Sequence, residues 1–348
     1  QDGHSVGYSN EDYAVTLEPS CQIEISIRPS SSISRIKSIY EDFLLLWEEP
    51  LRSKGYILVT KGNLPLVESQ IIAPDEIPLS DKMRYQYMDK YFKETGKYGR
   101  YMMRASASTQ VSVDYADEND LVLKLRVLQK ISPILMMMME SKSYPDSTIK
   151  GAYGKPHLLR IQEWDDLDSD RTGFYPHSFD DDFGYDSIAD TIYNTPLILL
   201  TDEGKTTYVG AKSAKELVED GTITLAGLSD DRKKSLIEHF MSMEFFHFRI
   251  KNYIEIRIAD SVPIDKALAY VALIKGIVYS EDNLKAIDEE LRDIDNIDRI
   301  NDSIRTIEKD GYDAIIYHGQ SVDYWAEYLV DLAGNSLSNS DKEYLMNV

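Results

Sequence analysis

The chain has 348 residues, 43% of them hydrophobic, enough to bury a sizeable core in one large α/β domain or two smaller ones. Its 60 acids against 38 bases give a net charge of −22, the wrong sign for non-specific binding to nucleic acid or to an anionic membrane. The lone cysteine, Cys21, excludes an intrachain disulfide and a cysteine-built zinc cluster, and it fits a reducing cytosol, so a cytoplasmic location is expected. No apolar run reaches the length of a membrane span. Gln1-Asp2-Gly3-His4 is not a signal peptide and lacks an initiator Met, so the chain reads as a processed or partial version of a longer protein.

In chain order, residues 13–28 read as strand, turn at Glu18-Pro19-Ser20, and strand, with Gln22, Glu24, Ser26 and Arg28 on one face. Ser30 to Ser32 supply N-caps for a helix over 33–51. Short strands and loop follow over 56–74, then a helix over 81–95 capped by Ser80. A strand is expected at 101–104 and another at 108–115, where Ser108, Gln110, Ser112 and Asp114 share one side. Asp117 and Glu118 open a strongly apolar helix through Met139, whose four consecutive methionines suit core filling. Residues 141–156 read as loop with Gly151 and Gly154, 157–164 as a strand, and 165–182 as an acidic loop. Ser229 caps a helix through His239, and Pro263 starts one to about Tyr279. The pattern stays helical through Tyr324-Trp325, dividing the chain into residues 1–280 and a helical C-terminal extension, 281–348, packed on the same domain.

Between the last two of those caps lies the cleanest alternation in the chain. Over 253–258, Ile254, Ile256 and Ile258 take one side of a strand, and Tyr253, Glu255 and Arg257 take the other. A carboxylate and a guanidinium two residues apart can bind a metal and the phosphate beside it; alone, they are an ordinary surface ion pair. Asp166-Leu167-Asp168-Ser169-Asp170 imitates the start of a calcium loop, but Arg171 stands where Gly is needed and His177 where Glu is needed.

Several segments resemble one family. Thr16-Leu17-Glu18-Pro19-Ser20-Cys21-Gln22-Ile23-Glu24-Ile25-Ser26 resembles the Leu-Glu-Pro-Gly-Gly-Gln-x-Glu-Leu-Ser segment of plant and proteobacterial-type glutamate–cysteine ligases. Thr109-Gln110-Val111-Ser112-Val113-Asp114 resembles their Thr/Ser-x-Gln-Val-Asn-Leu-Asp strand, and Trp164 with Asp170-Arg171-Thr172-Gly173 resembles their Trp…Asp-Arg-Thr-Gly loop. Phe179-Asp180-Asp181-Asp182-Phe183-Gly184-Tyr185 follows in the expected place, and 253–260 resembles their Met-Glu-Met-Arg-Gly-Ala-Asp strand.

The resemblance implies the fold and chemistry of glutamine-synthetase-like carboxylate–amine ligases. The fold class is α+β: a curved antiparallel sheet forming a half-barrel, with a polar concave face and helices packed outside. The implied reaction is ATP-dependent. The γ-carboxylate of glutamate forms an acyl phosphate, and the amine of cysteine displaces phosphate to give γ-glutamylcysteine, the first step of glutathione synthesis. Mg2+ is the implied cofactor, held by Glu18, Glu24 and Glu255. Arg257 is implied to hold phosphate, Arg171 to sit in a loop closing on nucleotide or substrate, and Arg160 to bind the glutamate carboxylate, with Gln110 and Thr109 lining the substrate site.

The implied partners are small molecules: glutamate, cysteine or another amine, and ATP. Departures from the pattern are concrete. No Glu-x-Glu lies upstream of Glu18, Gly-Gly is Ser20-Cys21, Asn-Ser-Pro-Phe is Glu140-Ser141-Lys142-Ser143, and the Gly after the strand Arg is Ile258. The Pro-Trp-Arg that follows is Pro263-Ile264-Asp265. These leave open an acceptor other than cysteine and a non-catalytic relative that binds ATP or amino acid; the acidic loop leaves open a calcium-buffering protein.

Overall fold

Alternating Tyr13, Val15, Ile25 and Ile27 commit the first described segment to a sheet with one greasy face. In the computed structural model, which describes residues 7–63, 76–142 and 155–347, Gly7–Ser9 (β1), Tyr13–Leu17 (β2) and Ile23–Ile27 (β3) pair antiparallel. Ile33–Ser53 (α1), capped by Ser32 Oγ accepting from the Arg35 amide, lays Ile39 and Phe43 on Tyr13 and Val15. The turn between β2 and β3 closes with the Cys21 amide donating to the Glu18 carbonyl and the Glu18 amide donating to the Gln22 carbonyl, each at 2.9 Å. Cys21 sits there at φ +64°, a left-handed conformation that costs a residue with a Cβ.

Met83–Thr95 (α2) follows, with Lys82 rather than Ser80 at its N-cap; Ser80 Oγ instead accepts from the Lys82 amide. Residues 101–104 are not the expected strand but part of a helix, Gly99–Ala105 (α3). The reason is side-chain geometry: Arg100 and Arg104, one helical turn apart, both reach Asp89, at 3.2 and 2.7 Å. Ser108–Val113 (β4) and the apolar Glu118–Met138 (α4) form as the pattern requires, with Met136 to Met139 all buried. Ser143, Gly151 and Gly154 lie outside the described residues, as do residues 64–74 of the expected strand-and-loop stretch.

The strand expected over 157–164 is also a helix, Leu159–Asp165 (α5). Its turn brings the Arg160 guanidinium over the Trp164 ring, 5.9 Å from the centroid, an i,i+4 contact a strand cannot make. Tyr185–Asn194 (α6) leads to the hairpin of Pro196–Asp202 (β5) and Lys205–Ser213 (β6), whose two-residue turn, Glu203-Gly204, has both φ angles positive. Ala214–Glu219 (α7) and Asp230–Met241 (α8) follow, the latter capped by Ser229. Phe248–Ile250 (β7) and Ile254–Asp260 (β8) pair, and β8 also pairs with β4. Ile264–Val278 (α9), Glu281–Glu290 (α10), Ile297–Asp310 (α11), Val322–Ser336 (α12) and Asn339–Lys342 (α13) complete the chain.

The result is mixed helix and sheet. Among the described residues the strands form three separate antiparallel sheets, β1-β2-β3, β4-β8-β7 and β5-β6, rather than the single ladder of the sequence expectation. The first is tied to the second by side chain instead of backbone pairing: the Gln22 amide donates to the carbonyls of Met103 and Ser106, both at 3.3 Å, where the chain enters β4. The main core gathers β4, β8, α4 and α9 to α12, and a second core gathers α2, α3, β5, β6, α7 and α8. No helix among the described residues is long and apolar enough to cross a membrane.

The Cys21 turn makes a signed prediction. Cys21→Gly raises unfolding stability by roughly 0.5 to 1 kcal/mol in urea titrations, and Cys21→Val lowers it by about 1 kcal/mol, since a β-branched residue tolerates positive φ least. Equal stability of the two variants contradicts strain at this turn.

Candidate functional site

β8 is the element on which the site is built, and its register is interrupted. Thr109 pairs with Ala259 and Val111 with Ile256, so two steps along β4 face three along β8. The extra residue is a β-bulge at Arg257 and Ile258, a feature that re-aims side chains. Ile258 stays in the core with Ile254 and Ile256, 1% exposed, so the branched side chain that replaces the family's glycine does not enter the site. Arg160 holds the bulge. Its guanidinium donates to the carbonyls of Arg257 at 2.8 Å and Ile258 at 3.4 Å, and it is 3% exposed.

Glu255 faces Arg249 across β7 and Ser112 across β4. Its carboxylate accepts from Arg249 Nε at 2.7 Å, Arg257 Nη1 at 3.0 Å and Lys251 Nζ at 3.4 Å, and the residue is only 7% exposed. This is a cluster of three half-buried cations around one buried anion, not a surface pair. Burial works to raise the carboxyl pKa, but Arg257, Arg249 and Lys251 outweigh it and hold it at about 2. Burial, with Arg249 beside it, lowers Arg257 to about 10. Arg257 stacks over the other side of the site on Trp164, 5.7 Å from the ring centroid, so Trp164 meets both Arg160 and Arg257.

The N-terminal hairpin brings its acids to the same place. The Ser80 amide donates to the Pro19 carbonyl at 2.7 Å and Lys82 Nζ to the Leu17 carbonyl at 2.6 Å, seating the start of α2 on the turn. Glu18 therefore stands among Lys82, Arg84, Tyr85 and Arg257. Burial, then the charge of Glu24, raises its pKa, with Lys82, Arg257 and Arg84 opposing. Glu24 itself is exposed on β3. The structure thus joins Glu18 electrostatically to Arg257 and to Glu24, but among the described residues it does not gather the expected three-acid metal site. Among the described residues no three His, Cys, Asp or Glu stand close enough to hold a metal ion, and the Glu255 oxygens are taken by cations. That donor set, among the described residues, does not fit a resident magnesium ion.

Thr109 and Gln110 lie on β4 beside the bulge. Thr109 Oγ1 accepts from the Val262 amide at 3.3 Å, and Gln110 is exposed, its amide donating to Ser108 Oγ at 3.1 Å. Arg171 is not brought to this face. It is fully buried, donates to Asp168 at 2.8 Å and to the Met243 carbonyl at 3.1 Å, and lies near the rings of Tyr91 and Phe245. Its loop nonetheless matters to the site. The carbonyls of Arg171 and Gly173 accept from the amides of Phe245 and His247, each at 2.8 Å, so the loop lines the run into β7. Asp168, bound to Arg171 and to the Tyr91 hydroxyl, is thereby a structural acid rather than a calcium ligand.

Sequence reading missed Arg249, Lys251 and His247 on the partner strand, and Lys82, Arg84 and Tyr85 at the start of α2. The first three were legible in part: the two-residue period of β8 continues backward through 247, 249 and 251 once a hairpin is placed at Lys251-Asn252. Those on α2 carried no local signal. His247 is 5% exposed, and burial, then Arg160 and Arg257, lowers it to about 3, leaving a neutral imidazole beside two guanidiniums. Asp260, at the end of β8, accepts from the Ser141 amide at 2.8 Å, and burial, against the pull of Arg160, pushes it up to about 6. A cavity of about 550 Å³ opens elsewhere, among Glu118, Arg126, Lys130, Phe179 and Asp288, and none of the candidate residues lines it.

The match to known proteins agrees with the motifs. Residues 5–301 match the family described as glutamate-cysteine ligase family 2. The chain belongs to that family. It is 26% identical over 289 residues to "Glutamate--cysteine ligase, chloroplastic" of Medicago truncatula, covering 81% of this chain and 53% of the relative. The protein of the same name from Arabidopsis thaliana is 25% identical over 285 residues, 81% of this chain and 52% of the relative. "Glutamate--cysteine ligase B, chloroplastic" of Oryza sativa subsp. japonica is 25% identical over 306 residues, covering 86% and 58%. The chain spans about half the length of these relatives.

Two measurements probe the geometry. Arg171→Met leaves Asp168 without its cation, with only the Tyr91 hydroxyl donating to its carboxylate from a side chain among the described residues, and lowers stability by about 3 kcal/mol in denaturant titrations; a change under about 0.5 kcal/mol contradicts the structural role. Glu255 has a folded pKa below its ordinary 4.5, so its contribution is present above that value and is lost as pH falls from 4.5 toward about 2. Glu255→Gln therefore lowers stability at neutral pH by up to about 3 kcal/mol and flattens the acid limb of a stability-against-pH curve. An unchanged acid limb contradicts the assignment.

Proposed function

We propose that this chain carries ATP-dependent carboxylate–amine ligase chemistry, joining the γ-carboxylate of glutamate to the amine of cysteine through a γ-glutamyl phosphate. The observation that supports it most is the cation cluster of Arg249, Lys251 and Arg257 on one polar strand pair, inside a chain of the glutamate-cysteine ligase family. A chain of net charge −22 that gathers three half-buried cations has concentrated positive charge where an anion can be held. The relatives' names supply the substrates for this reading, and the resemblance supplies ATP.

In this reading the sheets β1-β2-β3 and β4-β8-β7 act as walls of one half-barrel with its polar face inward. Arg257 and Arg249 neutralise charge on the transferred phosphoryl group, which needs positioning and charge more than covalent help. Arg257 faces the transferred phosphoryl group in this reading, because it pairs with Glu255 and its charge also reaches Glu18. Lys82 and Arg84 extend the positive lining. Gln110 is exposed to meet substrate, while Arg160 and Thr109 hold the backbone around the bulge. Magnesium enters as the nucleotide complex, a substrate rather than a lodged ion. The single cysteine supports a reducing, cytoplasmic setting.

Coupled ADP-release assays across a panel of amines test the proposal. Release requires both glutamate and an amine, cysteine being preferred, and Arg257→Ala lowers kcat/KM by about 100-fold or more. ADP release indifferent to glutamate and to every amine tested overturns it.

A further inference from the structure

The cavity of about 550 Å³ that stands apart from the cation cluster is a preformed groove. Residues 118, 122, 126 and 130 of α4 line it at four-residue spacing, one stripe of the helix. The groove therefore follows α4 for three turns, roughly 18 Å. Its other walls are fastened to that stripe. At one end the Tyr185 amide donates to Glu118 Oε1 at 2.5 Å, and Gly184 approaches so closely that a Cβ there would strike the same carboxylate. Farther along, Arg126 donates to the carbonyls of Ser178 at 2.9 Å and Asp180 at 2.6 Å, so the 179–184 loop is held at both ends. At the far end Lys130 Nζ donates to Asp288 of α10 at 2.6 Å.

These bonds also decide the charge of the groove. Arg126 is taken up by backbone carbonyls, Lys130 by Asp288, and Arg292 by Glu289. Among the described residues no cation pairs with the other lining acids, Glu118, Asp181, Asp182 and Asp295. Between the acids lie Val122, Leu123, Phe183 and Ile294, the last two buried, which give the groove an apolar floor.

An anion meets surplus negative charge here. A metal ion does not fit either, because among the described residues no three acids stand close enough to hold one. The lining suits positive charges spread along an aliphatic chain: ammonium groups meet the separated carboxylates, and methylenes cover the apolar floor. Lys130 already shows the mode within the lining, its alkyl stem buried and its ammonium on a carboxylate.

We propose that this groove binds an aliphatic polyamine, held by Asp181 and Asp182 on one wall and Asp295 on the other, over the α4 stripe. The preformed walls lower the ordering cost of binding. The groove shares no residue with the candidate ligase site, so the inference stands or falls independently of that reading.

Calorimetric titration of the whole chain with spermidine tests it, in about 0.15 M salt, where loosely held counterions are screened. One spermidine binds per chain. Asp181→Asn combined with Asp182→Asn weakens binding at least about tenfold, and Asp295→Asn at least about threefold. Asp42→Asn combined with Glu49→Gln removes the same charge from the exposed face of α1 and changes affinity by less than about twofold. Mg2+ at matched ionic strength leaves spermidine bound, since it cannot use the apolar floor. Absence of spermidine binding, equal losses in the groove and α1 variants, or displacement by Mg2+ overturns the inference. If the Asp181 and Asp182 double variant does not fold, wild-type affinity in Asp295→Asn overturns it.

Discussion

Everything in the site depends on one buried carboxylate. Glu255 collects Arg249, Lys251 and Arg257 on a pair of strands that would otherwise repel along their polar face. Removing the carboxylate leaves three half-buried cations close together without their shared anion, a costly arrangement. Retaining it leaves a net positive face, because one anion balances three cations. The same interaction thus serves folding and function: it makes the hairpin of β7 and β8 tolerable and leaves the surplus charge that an anionic ligand can use.

The supporting parts hold that cluster at fixed positions. Arg160 pins the bulge through backbone carbonyls, so Arg257 cannot slide back into register. The 171–175 loop runs along the approach to β7 and hydrogen-bonds Phe245 and His247. The first hairpin, seated by Gln22 and by the start of α2, carries Glu18 to the far side of Arg257. Arg160 and Arg171 are buried and bound within the protein, which gives two arginines that resemble family functional residues a placing role in this fold.

Period-two alternation made β2, β3, β4 and β8 legible in the sequence, because a half-buried strand must alternate. Caps at Ser32 and Ser229 and the acids before α4 did the same for helix starts. What escaped was set by tertiary contacts. Residues 101–104 and 159–164 have strand-like composition but become helical because Arg100, Arg104, Arg160 and Trp164 make contacts only one helical turn allows. The bulge escaped too, since an added residue in β8 is defined only against β4. The motifs named Glu18, Glu24, Glu255 and Arg257, while their neighbours on α2 and β7 arrive from distant parts of the chain.

The role proposed for this cluster is to neutralise a phosphoryl group as it passes from ATP to the γ-carboxylate of glutamate. Isotopic oxygen tests it most directly: glutamate labelled in its γ-carboxylate is incubated with ATP and cysteine, and the released phosphate is analysed by mass spectrometry. The account predicts one labelled oxygen in each phosphate, carried over from the acyl phosphate. ADP formation accompanied by unlabelled phosphate would contradict it.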